Sequence, residues 1–276
     1  MTNIPKIKIE IDKEQDKKLF NEFLNHPDFP QHRNMILKTF PILKNLLGKR
    51  RESEAVGEFV DNFYKSYHEI INKITEKSRD KIENHGKDAL KILGEIMNYE
   101  WKKPLTYTAK PTILPFSPYG DNVFYFSILP DIKKGGSSKN ILEIALHEIS
   151  HFIFLNQLED KKIKLEKNTK YCIKEAVATA VLNQEEFGAM GIPKRAGNPE
   201  IKEIKIEINN EIYKLTDFIS KNIKEKGYVK AIKNILELTN KASKEFSKRM
   251  TLWNQYGKNI VKNPRALEKY IKPIKL

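Results

Sequence analysis

The stretch from Asn140 to Leu155 reads Asn-Ile-Leu-Glu-Ile-Ala-Leu-His-Glu-Ile-Ser-His-Phe-Ile-Phe-Leu, and it constrains the chain more than any other. Asn140 is placed to cap a helix, and Glu143 three residues on completes a capping-box pattern. The residues that follow include neither proline nor glycine and are apolar nearly all round, which predicts a buried helix. Two histidines and a glutamate interrupt that apolar surface. Burying such groups is unfavourable unless they are hydrogen-bonded or hold a metal.

Their spacing points to chemistry. His147 and His151 stand four residues apart, one turn apart on one helix face, where two imidazoles can converge on one ion. Glu148 follows the first histidine about 100° further round the helix, placed to reach a water beside the ion without binding it. The pattern HExxH therefore predicts a zinc site, with Glu148 as the base that takes a proton from the attacking water. The plain alternative is a buried helix whose histidines bond neighbouring carbonyls.

Composition bounds the function classes. A chain of 276 residues with 39% hydrophobic and 31% charged residues is ordinary for a folded protein, but a net charge of +14 is not. The excess is steepest from Ile201 to Leu276, where 18 Lys or Arg face 8 Asp or Glu, a local net of +10. Such a surface could attract nucleic acid, anionic membrane or acidic substrates. The charges are interspersed with apolar residues rather than clustered, so the expectation is generic solvated lysine and no specific nucleic-acid recognition. Cys172 is the single cysteine, which excludes an internal disulfide. The first residues alternate charged and apolar types instead of forming the apolar core of a signal peptide. No run approaches the roughly 18 apolar residues of a membrane span. A soluble, cytoplasmic protein is the expectation.

Along the chain, Ile4 to Ile11 alternates like a half-exposed strand. Helical spacing follows in Leu19, Phe20, Phe23 and Leu24, then from Phe59 to Ile74, then in Leu90, Leu93, Ile96 and Met97. From Lys103 to Leu129 four prolines and β-type residues mark a change, with Leu105–Thr108 and Val123–Ile128 as strand candidates. Helices return for most of the remainder, and Gly188 to Pro199 reads as a long connecting loop. The order suggests an α+β, mainly helical fold with a small sheet. Two regions are expected: 1–102, mainly helical, and 103–276, which carries the HExxH helix and the C-terminal helices.

His147, Glu148 and His151 resemble the motif of the zincin superfamily of metallopeptidases, with Val123–Ile128 in the place of the strand that precedes the motif helix. The resemblance covers roughly Lys103 to Asn183. It implies a small sheet packed on the HExxH helix, the strand walling a substrate cleft, and hydrolysis of a peptide or protein substrate. Which branch applies depends on the third ligand. The metzincin pattern requires glycine and histidine at 154 and 157, where this chain has Phe154 and Gln157. No histidine follows His151, so a carboxylate must serve, as in the gluzincins. Glu175 is the candidate, in Tyr171-Cys-Ile-Lys-Glu-Ala-Val-Ala-Thr-Ala-Val-Leu-Asn183, a strong helix signal with small residues at Ala176 and Ala178. Its distance of 24 residues from His151 slightly exceeds the usual gluzincin gap. Glu159, Asp160 and Glu166 lie in a Lys-rich connector and read as solvated, while Glu185 and Glu186 end the second helix and face away.

Many gluzincins stabilise the tetrahedral oxyanion with a later histidine or tyrosine. Here only a tyrosine remains, and Tyr213, Tyr228 and Tyr256 stay open as candidates. Thr179, one turn beyond Glu175, could orient that ligand, and Cys172 reads as a small buried hydrophobe. His26, His32, His68 and His85 lack ligand spacing and read as surface or capping residues. Two other functions compete with a zinc metallopeptidase. One is a catalytically inactive zincin-fold binding or regulatory module, against which the intact Glu148 argues. The other is a basic nucleic-acid-binding protein with a structural zinc, which the shortage of cysteines disfavours.

Overall fold

The computed structural model describes residues 3–27, 30–48, 51–102, 105–136, 141–195, 197–260 and 272–276, with the side chains of 254–260 excepted. Asn140, the expected helix cap, and the side chain of Tyr256 lie outside the described residues. The fold is α+β and mainly helical. Its residues gather into two units, Asn3–Lys87 with Lys103–Ala145, and Asp88–Lys102 with Leu146–Leu276. The composition break at residue 103 is one of the places where the chain passes between them. No described helix is long and apolar enough to cross a membrane.

In the first unit, strand β1 (Lys6–Ile9) leads to helix α1 (Lys13–Asn25). Asp12 caps α1 by accepting the Gln15 N–H at 2.9 Å. Helices α2 (Pro30–Thr39), α3 (Glu52–Ser66) and α4 (His68–Ile96) follow, α4 continuing past the end of the unit. Next come strands β2 (Thr106–Thr112), β3 (Tyr119–Gly120) and β4 (Val123–Ser127), the short helix α5 (Leu129–Lys133), and the first turn of α6 (Ile141–Asp160). The sheet order is β1-β2-β4-β3. β2 runs parallel to both β1 and β4, and only the two-residue β3 is antiparallel to its neighbour β4. The periodic apolar stripes of α1 and α3 become core: Phe20, Leu24, Val56 and Val60 are fully buried. Phe40 lies 5.9, 5.1 and 5.8 Å from the rings of Phe20, Phe59 and Phe63. His32, read as a surface or capping residue, is instead half-buried, its ring 4.5 Å from Phe116 and 5.2 Å from Phe23.

The second unit contains the rest of α6 and is centred on α7 (Lys167–Leu182), in which every residue from Cys172 to Leu182 is buried. Glu166 caps α7, one carboxylate oxygen accepting the N–H groups of Asn168 and Thr169 at 3.0 Å each. Helices α8 (Glu185–Ala189) and α9 (Pro199–Lys202) are short. Strands β5 (Lys205–Ile208) and β6 (Glu211–Lys214) then form a hairpin that the apparent run of helices conceals. Its two-residue turn is Asn209-Asn210, with φ +50° and +67°, the left-handed conformation that suits a tight hairpin and that asparagine tolerates. Helices α10 (Leu215–Lys226), α11 (Tyr228–Lys241) and α12 (Ser243–Ile260) complete the unit, and β7 (Ile274–Lys275) pairs parallel to β5. α7 packs against α9, α10 and α12, its alternate alanines allowing close approach.

A buried charge organises the first unit. Asp16 on α1 is 1% exposed. Its carboxyl accepts the Thr112 hydroxyl at 2.5 Å, the Tyr64 hydroxyl at 2.8 Å and the Ile113 N–H at 3.0 Å, joining α1, α3 and the end of β2. The Leu114 N–H donates to the Thr112 oxygen at 3.0 Å, which leaves the threonine proton for Asp16. Burial pushes the carboxyl up to about 6 against the pull of these donors. Asp16→Ala strands the donors and is expected to destabilise the protein by ~2–4 kcal/mol in chemical denaturation at pH 4. The carboxyl titrates near 3.8 when unfolded and near 6 when folded, so the contribution is complete below about pH 4 and declines as pH rises through 6. Wild type should thus lose part of its advantage over the variant by pH 7; an advantage that widens would contradict the assignment.

Candidate metal centre

Helix geometry brings the two histidines together. On α6, His147 and His151 have ring centroids 4.4 Å apart, and both are buried together with Glu148. Ser150, between them, returns its hydroxyl to the His147 carbonyl at 2.6 Å and so does not intrude on the site. From α7, Glu175 reaches both rings: Oε2 lies 3.3 Å from His147 Nε2, and Oε1 lies 3.3 Å from His151 Nε2. The three residues offer ligand atoms within 4.8 Å of one another, the one such group among the described residues. The spacing of 24 positions from His151 to Glu175 is accommodated by the end of α6, the connector and the first two turns of α7.

The donor set suits a metal ion. Two ligand atoms bonded at 2.0–2.2 Å to one tetrahedral ion lie roughly 3.3–3.6 Å apart, and each histidine Nε2 stands at that separation from one Glu175 oxygen, a different oxygen in each pair. The protonation states suit it too. Burial drives the His147 imidazole below its usual value and the His151 imidazole down to about 3, so both rings are neutral. Burial alone would raise Glu175, but hydrogen bonds from both imidazoles and the nearby Lys174 charge bring it far below the carboxylate range. Neutral imidazoles and an ionised carboxylate are the forms that coordinate metal. Glu148 differs: burial first, and then the Glu175 charge, lift it to about 8. Its Oε2 is buried with no protein hydrogen-bond partner.

The surroundings contain residues that motif spacing does not find. Lys174, buried although it is a lysine, places Nζ 2.8 Å from Glu175 Oε1. Asn198 donates Nδ2 to Glu175 Oε2 at 3.2 Å. Sequence reads 188–199 as a connector; the structure fastens its second half to α7. The Asn183 side chain donates to the Arg195 carbonyl at 2.9 Å and accepts the Arg195 N–H at 2.8 Å. Tyr171 on α7 donates to Glu200 at 2.6 Å. Gly197, at φ +76°, lies so near Thr179 that a β-carbon would stand 3.2 Å from its hydroxyl oxygen, so glycine is required there. A lysine inside the apolar run after Tyr171 was the one signal of these neighbours that sequence carried.

The other candidates fall elsewhere. Thr179 bonds the Glu175 backbone carbonyl at 2.9 Å and not its carboxylate. Cys172 is buried, its thiol pushed up to about 12 by burial. Tyr213 lies on β6, bonded to Glu211, its ring tilted against that of Phe218 with centroids 5.5 Å apart. Tyr228 is buried with an unpartnered hydroxyl, in a small cleft lined by Phe154, Gln157, Ile232 and Leu236. Glu185 and Glu186 are exposed, Glu185 paired with Lys224 at 2.5 Å.

Comparison of the chain with protein-family profiles, with curated proteins and with solved structures returned no match. Assignment of the site therefore rests on its own geometry. Glu175→Ala is expected to weaken metal binding more than the ~100-fold that loss of an outer-shell partner can cause, while Glu185→Ala leaves it unchanged. Competition against a chromophoric chelator measures both, and full metal retention in Glu175→Ala would remove Glu175 from the site.

Proposed function

We propose that this chain is a zinc-dependent metallopeptidase of gluzincin type, hydrolysing peptide bonds in a peptide or protein substrate. The observation that carries this reading is the meeting of Glu175 with both histidines of the HExxH helix, 3.3 Å from each. Three protein ligands leave one position open, which is the mark of a catalytic zinc site; structural sites are closed by a fourth protein ligand, most often cysteine. The only cysteine, Cys172, is buried as an inert thiol.

When bound, zinc supplies Lewis acidity toward a carbonyl oxygen and a nucleophilic water near neutral pH. His147 and His151 present Nε2, and Glu175 presents its carboxylate, to hold the ion. Lys174 and Asn198 each engage one oxygen of that carboxylate and fix its orientation. Glu148 does the proton work. Its Oε2 has no competing protein donor, so it is available to receive the proton released as water adds to the carbonyl carbon. The same carboxyl then returns that proton to the departing amine as the C–N bond breaks.

The test separates an enzyme from an inactive binding module. Zinc-supplemented wild type and Glu148→Gln are expected to carry one zinc per chain by elemental analysis. Wild type cleaves members of a peptide library, and the variant loses ~10²-fold or more of that activity, since an amide cannot accept the proton. Absence of stoichiometric zinc in wild type, or equal cleavage by the two proteins, would overturn the reading.

A further inference from the structure

Lysine is seldom buried unless its charge is answered. Lys174 on α7 is 6% exposed, and its Nζ lies 2.8 Å from Glu175 Oε1. Adjacent residues on a helix point about 100° apart and do not face one another, so adjacency in sequence does not by itself produce this contact. The ammonium also stands 5.7 Å from the centre of the Tyr171 ring, one turn earlier on the same helix. Tyr171 is anchored in turn by donating to Glu200 at 2.6 Å.

The oxygen that accepts from Lys174 is the one that faces His151, 3.3 Å from its Nε2. An ion bonded to that oxygen at 2.0–2.2 Å stands no more than about 5 Å from the ammonium. Two positive charges on the ion and one on the lysine repel at that separation, and burial leaves little water to screen them. In the absence of an ion the ammonium has the opposite effect, because it compensates a buried carboxylate that is costly alone. Oε2 receives a neutral donor instead, Asn198 Nδ2 at 3.2 Å. Both neighbours orient Glu175; of the two, Lys174 adds a charge that opposes the ion.

We infer that Lys174 is a built-in counter-charge that competes with the metal for Glu175. It stabilises the carboxylate in the metal-free chain and lowers the affinity with which the centre holds its ion. Occupancy of the site then follows the supply of free zinc instead of being permanent. The inference deepens the zinc-enzyme reading, on whose metal centre it rests.

The test is the zinc affinity of the full chain, measured by competition against a chromophoric chelator at pH 8, where protons compete little for the ligands. Lys174→Met and Lys174→Gln should bind zinc at least about tenfold more tightly than wild type. Asn198→Ala, which removes a neutral donor from the other oxygen, should show no such gain; an equal gain there would overturn the inference, since charge would not be its cause. Freed of metal by chelation, Lys174→Met should melt at least about 5 °C below wild type. Where a metal-free variant does not fold, the loaded protein gives the same comparison, losing zinc to excess chelator at least about tenfold more slowly than wild type. Zinc binding by Lys174→Met and Lys174→Gln that is equal to or weaker than wild type, or a metal-free Lys174→Met as stable as wild type, would also overturn the inference and leave the peptidase reading standing. Absence of zinc binding in wild type would instead remove the metal centre, and the role of Lys174 with it.

Discussion

An ionised carboxylate buried among alanine and valine side chains is the constraint on which the second unit depends. An isolated charge in such a setting is strongly unfavourable, and Glu175 is stable there because both its oxygens are surrounded by polar hydrogen. His147 and Lys174 approach from one element each, His151 from the same helix as His147, and Asn198 from the segment beyond α8. Loss of any one partner would leave the charge less compensated. Glu175 thus ties α6, α7 and the segment that carries Asn198 to one point.

The two units solve the same problem in opposite ways. Asp16 is also a buried carboxyl with several donors, but they are two hydroxyls and a backbone amide. Neutral donors offset only part of the desolvation, and the group ends up above its ordinary value. Glu175 has a full positive charge and two imidazoles within reach and ends up below it. The hydrogen bonds from His147 and His151, with the nearby positive charge added, outweigh burial at Glu175, whereas the donors to Asp16 do not. Asp16 thus reads as an architectural tie, while Glu175 is kept ionised in the form that a cation can use.

Much of this was legible in the chain, and what was not has a physical reason. The motif helix, the identity of Glu175 and the small residues around it are local patterns, and spacing along a helix translates directly into a shared face. The parallel pairing of β1 with β2 joins Lys6 to Thr106, and no local pattern encodes a pairing across that separation. The hairpin of β5 and β6 was readable: Ile206, Ile208 and Ile212 are spaced for strands around two asparagines, but neighbouring helical stripes dominate the region. Arg195 and Asn198 were not, because a loop's approach to a helix depends on side-chain bonds such as those of Asn183 that leave no periodicity. The tyrosines considered for the oxyanion were chosen by residue type, which carries no information on where such a side chain falls in space.

The clamp from Asn183 grips residue 195 by its peptide groups alone. Position in space and chemical identity are consequently decoupled at that point of the chain. Whatever side chain residue 195 carries, short of proline, it is delivered to the same spot with the same main-chain trajectory. The side chain at that position can therefore change while the course of the loop beside α7 stays the same.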